Sequence, residues 1–126
     1  MLKIAYSPIY KYALPKGHRF PMEKYDLLPQ QLLYEGTVIE ENFFHPQKLS
    51  EDDILGTHTS AYWNKLKSLN LTRREEREIG FPIRDNLIER GRYIARGTYE
   101  GAKYALKYGI AMNIAGGTHH AYAAKG

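Results

Sequence analysis

The chain has 126 residues, 43% of them hydrophobic and 25% charged, with a formal charge of +4 and no cysteine. That length suits a single core, and the balance excludes a disordered, collagen-like or coiled-coil chain. The missing cysteine removes disulfides, thiolate nucleophiles and Cys-ligated zinc from these residues, and no run approaches the roughly 20 apolar residues of a membrane-spanning helix. The chain starts straight into a strand-like segment without the pattern of a signal peptide, so the expectation is a cytoplasmic protein with no membrane partner.

Residues 3–6 form a short apolar-biased run that Ser7 and Pro8 stop, consistent with a first strand. Residues 8–21 mix Tyr10, Tyr12, Pro15, Gly17, His18 and Phe20, a composition neither helix nor strand selects. Loops of this kind often line sites. Residues 23–36 carry Leu27, Leu28, Leu32 and Tyr34 at mainly helical intervals, with Gly36 suited to follow a helix end. A second strand is expected over 37–44.

Ser50 reads as the N-cap of a short helix with Asp53 in the position of a capping-box acid. Residues 60–69 and 72–78 form further helical stretches, broken by Gly80-Phe81-Pro82. From 85 to 108, Leu87, Gly91, Ile94, Ala95, Thr98, Gly101, Ala102, Ala105 and Leu106 recur every three or four residues, which predicts one long amphipathic helix ended by Gly109. Its small residues let a helix lie close to a sheet, a packing reason for glycines that cost about 1 kcal/mol each relative to alanine. Residues 110–115 then read as a strand buried on both faces of a parallel sheet. Helix followed at once by strand makes an α/β unit.

Charge is uneven. Residues 1–63 carry 6 basic and 8 acidic side chains, whereas residues 64–126 carry 12 and 6. Arg73, Arg74, Arg77, Arg84, Arg90, Arg92 and Arg96 supply most of the excess, which offers a phosphate-binding face. Glu75, Glu76, Glu78 and Glu89 are interleaved with them at helical spacing, however, and solvated helix faces with i,i+4 pairs are the preferred reading. Nucleic acid is therefore not the expected partner. Most of the eleven tyrosines are read as core and helix-edge residues rather than stacking platforms.

The last strand runs into Gly116-Gly117-Thr118-His119-His120-Ala121. Ligands of open parallel sheets bind at the carboxyl ends of strands, which is where this histidine pair stands. Gly116 and Gly117 permit close backbone approach by a ligand. Adjacent imidazoles can hold different protonation states, so one accepts a proton near neutral pH while the other supplies charge. Such a pair suits activation of a water molecule. An exposed or structural pair is the alternative for the dipeptide by itself.

In its context the segment resembles the catalytic segment of the histone deacetylase family. Upstream, Gly17-His18-Arg19-Phe20-Pro21-Met22-Glu23-Lys24-Tyr25 resembles that family's G-H-x-F-P-M-x-K-Y segment. His58-Thr59-Ser60-Ala61-Tyr62 is similar to its H-T-x-x-Y helix start, and Ile79-Gly80-Phe81-Pro82 to a segment of its bacterial and class IV-like members. The resemblance implies an α/β arginase/deacetylase-like three-layer fold with a parallel sheet, incomplete here, so that residues 1–126 form the amino-terminal part of one deacetylase-type domain.

It also implies a zinc-dependent hydrolysis of acetyl-lysine or a related acetylated amine. His119 would be the charge-stabilising histidine and His120 the general base, with Gly117, Phe20 and His18 near the substrate. A loop anchor is the alternative reading for His18, and His58 with Tyr62 reads more simply as packing at a helix start. The family's Asp-x-His zinc motif, its later Asp and its oxyanion tyrosine have no counterpart among the 126 residues. The five histidines show no clustered ligand spacing, so no tightly bound zinc and no turnover are expected of this chain alone. An incomplete sheet predicts self-association through an exposed edge. The alternative is a short non-catalytic binding or regulatory module derived from the same fold.

Overall fold

A computed structural model of the chain describes residues 1–117 and 120–126. Three parallel strands lie in the order β2-β1-β3. They are β1 (Lys3–Ala5), β2 (Phe43–Phe44) and β3 (Ala111–Asn113). Ile4 stands opposite Phe43 on one side and Met112 on the other, and Ala5 opposite Phe44 and Asn113. Among the described residues five α-helices accompany them: α1 (Lys24–Tyr34), α2 (Glu51–Leu55), α3 (Ser60–Lys67), α4 (Arg73–Ile79) and α5 (Asp85–Tyr108). The expected α/β architecture with a parallel sheet is observed.

Local chemistry sets the boundaries. Ser50 accepts from the Asp53 amide at the start of α2, and Thr59 accepts from the Tyr62 amide at the start of α3. At α4, Thr72 and Glu75 form a reciprocal capping box. The Lys65 ammonium and the Thr72 amide hold the Glu75 carboxyl down at about 2. Gly80 ends α4 at φ +85°, and Gly109 ends α5 at φ +91°, backbone conformations that disfavour any residue with a Cβ.

Two strands differ from expectation. The second is confined to Phe43–Phe44, because the Asn42 side chain accepts from the Ile39 amide and donates to the Leu2 carbonyl, folding Glu40–Asn42 into a 3-10 turn. The third spans only Ala111–Asn113 and is not buried on both faces. Alternate side chains explain this: Ala111 and Asn113 turn toward α5, whereas Met112 on the opposite face is 55% exposed. β3 is the outer strand on its side of the sheet, and Ile110 just before it is also exposed.

The core is built where the aromatic loop meets α5. Tyr10, Tyr12, Met22, Tyr25, Ile94 and Ala115 are buried together, with Phe20, Phe81 and Leu87 packed against them. Tyr10 and Tyr12 are thus core residues as read, whereas Tyr99 and Tyr108 lie exposed along the helix. Each fully buried large side chain contributes on the order of 1.5–3 kcal/mol. Residues 49–67 are tied to the other flank of α5: the Leu49 amide and carbonyl bond the Arg92 carbonyl and Nε, and the Arg92 guanidinium lies 5.6 Å from the ring centre of the buried Trp63.

Helix and sheet touch at Gly97. A Cβ there would stand 2.6 Å from the Tyr10 hydroxyl, 2.9 Å from Asn113 Nδ2 and 3.2 Å from Ala5 Cβ. At Gly91, on the same helix, a Cβ would meet open space. Gly97→Ala should therefore lower stability by about 1–2 kcal/mol despite alanine's better helix propensity, and Gly91→Ala should raise it by up to about 1 kcal/mol. Urea midpoints measure both; equal shifts of the same sign would show that the Gly97 contact does not govern the packing.

Candidate active-site segment

The chain beyond β3 is held by bonds radiating from Asn113. Its Nδ2 donates to the Ile94 carbonyl at 3.0 Å and to Thr98 Oγ1 at 3.1 Å, and its Oδ1 accepts from the Ala115 amide at 3.3 Å. The Ile114 amide continues the sheet to the Ala5 carbonyl, and Ala115 is buried. Gly116 and Gly117 therefore emerge at the carboxyl end of β3 from a fixed base.

Two cavities meet at these glycines. One, of about 500 Å³, lies between α3, the region after α4, and α5; Tyr62, Trp63, Phe81 and Leu87 line it together with Gly117 and His120. The other, of about 400 Å³, is lined by Phe20, Lys24, Tyr25, Phe81, Arg90 and Gly117. The structure thus brings Gly117 together with His120 on one side and with Phe20 on the other. His119 lies outside the described residues.

His18 stands in neither cavity. Its Nδ1 accepts from the Phe20 amide at 3.2 Å, so Nε2 bears the hydrogen and faces the Gly80 carbonyl at 3.4 Å. Its ring stacks on Phe81 with centroids 5.7 Å apart, and it borders a shallow hollow of about 490 Å³ with Arg73, Glu76 and Arg77. The geometry is that of a loop anchor. His45 and His58 also bond carbonyls, but from Nδ1, to Tyr6 and Tyr122 at 2.8 Å each. The His58 ring also tilts against Tyr62 at 5.6 Å, the helix-start packing expected of that pair. Among the described residues His120 has no protein hydrogen bond, and it is exposed.

Arg90 is the residue that the sequence reading placed wrongly. Within the interleaved charges it looked like part of a solvated face, as Arg74 and Arg96 are, each paired with the glutamate four residues on. Arg90 is instead 6% exposed and borders both cavities. Its Nε donates to the Tyr10 carbonyl at 2.5 Å, and its guanidinium lies 5.1 Å from the Tyr25 ring centre. Burial pulls its pKa below the usual value, partly offset by Tyr25. Its position between Leu87 and Ile94, in phase with the apolar stripe, was the available signal.

Among the described residues no three His, Asp or Glu side chains stand together to hold a metal ion. No helix of the described residues is long and apolar enough to cross a membrane.

Residues 18–126 match the histone deacetylase domain. The chain is 30% identical over 134 aligned positions to histone deacetylase 2 of Arabidopsis thaliana, covering 99% of this chain and 35% of that protein. An uncharacterised protein of Picosynechococcus sp. is 35% identical over 119 residues, covering 94% of this chain and 40% of that one. In structure, the chain superposes with a TM-score of 0.77 on a histone deacetylase homologue from Aquifex aeolicus, at 23% identity over 98% of this chain and 36% of the other. A homologue solved in complex with SAHA gives the same TM-score at 24% identity and the same coverage. These likenesses show the arginase/deacetylase fold. The chain spans about 35–40% of the length of the relatives it matches.

Arg90→Lys keeps the charge but removes the planar fork that reaches the Tyr10 carbonyl and stacks on Tyr25. It should cost about 1–3 kcal/mol, because a buried carbonyl loses its donor. An unchanged urea midpoint for this variant would contradict the assignment.

Proposed function

Since the chain belongs to the histone deacetylase family, we propose that it forms the amino-terminal part of a zinc-dependent deacetylase domain, with residues 1–126 ending before the metal-ligand motifs. The reaction is hydrolysis of the acetyl amide of lysine or a related acetylated amine. One observation carries the reading: the family match over residues 18–126 includes the segment that leaves the carboxyl end of β3 beside two cavities.

In this reading His120 takes a proton from the attacking water and returns it to the departing amine, while His119 supplies charge beside it. The exposed imidazole of His120, free of protein partners among the described residues, supports that role. Gly117, with no Cβ, leaves room for the acetyl group between the cavities, and Phe20 offers an aromatic wall. His18 contributes by fixing Phe20 through the Phe20 amide. The zinc dependence rests on the family resemblance, because the described residues do not assemble three ligands for the ion. The chain by itself is accordingly read as inactive, its compartment as the cytoplasm, and its exposed β3 edge as a surface for self-association.

The test compares acetyl-lysine peptide hydrolysis by the 126-residue chain and by a longer polypeptide that carries it through an Asp-x-His segment. The short chain should show no chelator-sensitive turnover. The longer one should be active, and His120→Gln should reduce its kcat by about 10²–10⁴-fold. Chelator-sensitive turnover by the short chain, or a fully active His120→Gln variant, would overturn the reading.

A further inference from the structure

Phe81 belongs to the walls of both cavities and of the shallow hollow beside His18. Its ring meets Phe20 edge-on with centroids 5.4 Å apart. Phe81 thus separates the hollow from the cavity lined by Phe20 and Gly117, so the hollow's charges stand one aromatic ring away from that cavity.

Those charges are unbalanced. Arg73 and Arg77 are exposed, one helical turn apart on α4, and neither pairs with a carboxylate among the described residues. Their neighbours behave differently: Arg74 pairs with Glu78 at 3.3 Å, and Lys65 with Glu75 at 2.8 Å. Like charges at i,i+4 destabilise a helix, so this pair stands at a cost that a bound anion relieves. The hollow's one acid, Glu76, already accepts from the Ile83 amide at 3.1 Å. Across Phe81, the smaller cavity adds Lys24 and Arg90 with no carboxylate in its wall. Lys24 Nζ lies 4.7 Å from the Phe20 ring centre. The hollow and the smaller cavity together thus carry three accessible cations, Arg73, Arg77 and Lys24, and the buried Arg90 behind them, against one engaged carboxylate.

Resting on the reading that Phe20 and Gly117 line the substrate site, we propose that this rim selects acetyl-lysine peptides with acidic residues beside the acetylated lysine and disfavours lysine- and arginine-rich ones. Arginine forks on a solvent-facing helix suit carboxylates, which they grip with two parallel hydrogen bonds. Lys24 and Arg90 extend the same field toward the cavity.

The experiment is fluorescence anisotropy of the longer polypeptide that carries this chain through an Asp-x-His segment, in its slowed His120→Gln form, with labelled acetyl-lysine peptides identical except for flanking glutamates or flanking lysines. The acidic peptide should bind about tenfold more tightly, as a few partly exposed charge pairs supply. The preference should shrink as ionic strength rises, and disappear in Arg73→Gln/Arg77→Gln with the far-UV spectrum unchanged. Arg74→Gln, whose parent residue is paired with Glu78, should retain it. Equal or tighter binding of the basic peptide, a preference unmoved by Arg73→Gln/Arg77→Gln, or no binding of any peptide at millimolar concentration would overturn the proposal. A preference for acidic peptides that ignores the acetyl group would uphold the cationic rim and count against the deacetylase reading.

Discussion

The structure depends on the approach of α5 to the sheet at Gly97. No side chain intervenes there, so the helix backbone faces the Tyr10 hydroxyl, Ala5 and the Asn113 amide directly. That proximity lets Asn113 reach the Ile94 carbonyl and Thr98 on the helix while its oxygen accepts from the Ala115 amide. A helix held farther out by even one methyl group would lose these bonds, and with them the anchor of the glycine pair. The position of the chemical segment is thus a consequence of one missing side chain in the middle of a 24-residue helix.

The same packing explains how a loop became part of the core. Tyr10 and Tyr12 are buried against Ile94 and Ala115, and the Tyr10 carbonyl receives the Arg90 guanidinium. Tyr12 donates to the Pro82 carbonyl at 2.6 Å, which ties the beginning of the chain to the turn that carries Phe81. Phe20, Phe81 and Arg90 are thereby set around Gly117 by contacts over 60 residues distant in sequence. Loop, helix and strand end act as one scaffold.

What was legible in the sequence follows from the range of the forces involved. The long helix over 85–108, the cap at Ser50, and the glycines that end α4 and α5 are decided by residues within a turn or two of each other. The second strand failed because Asn42 bonds the distant Leu2 carbonyl, a partner no local pattern announces. β3 looked doubly buried because its composition is apolar, yet burial depends on which elements cover each face. Arg90 was hidden by the regular spacing of charges around it. For His18 the sequence offered an anchor or a substrate contact, and its bonds to the Gly80 carbonyl and the Phe20 amide are those of the anchor.

The central claim is that these residues belong to a polypeptide that removes acetyl groups. The most direct measurement is acetyl-lysine hydrolysis by the native polypeptide, captured from its source cells with an antibody against α5. The account predicts a species longer than 126 residues that releases acetate from an acetyl-lysine peptide. Capture of that longer species, folded but without hydrolysis of any acetylated amine, would contradict it.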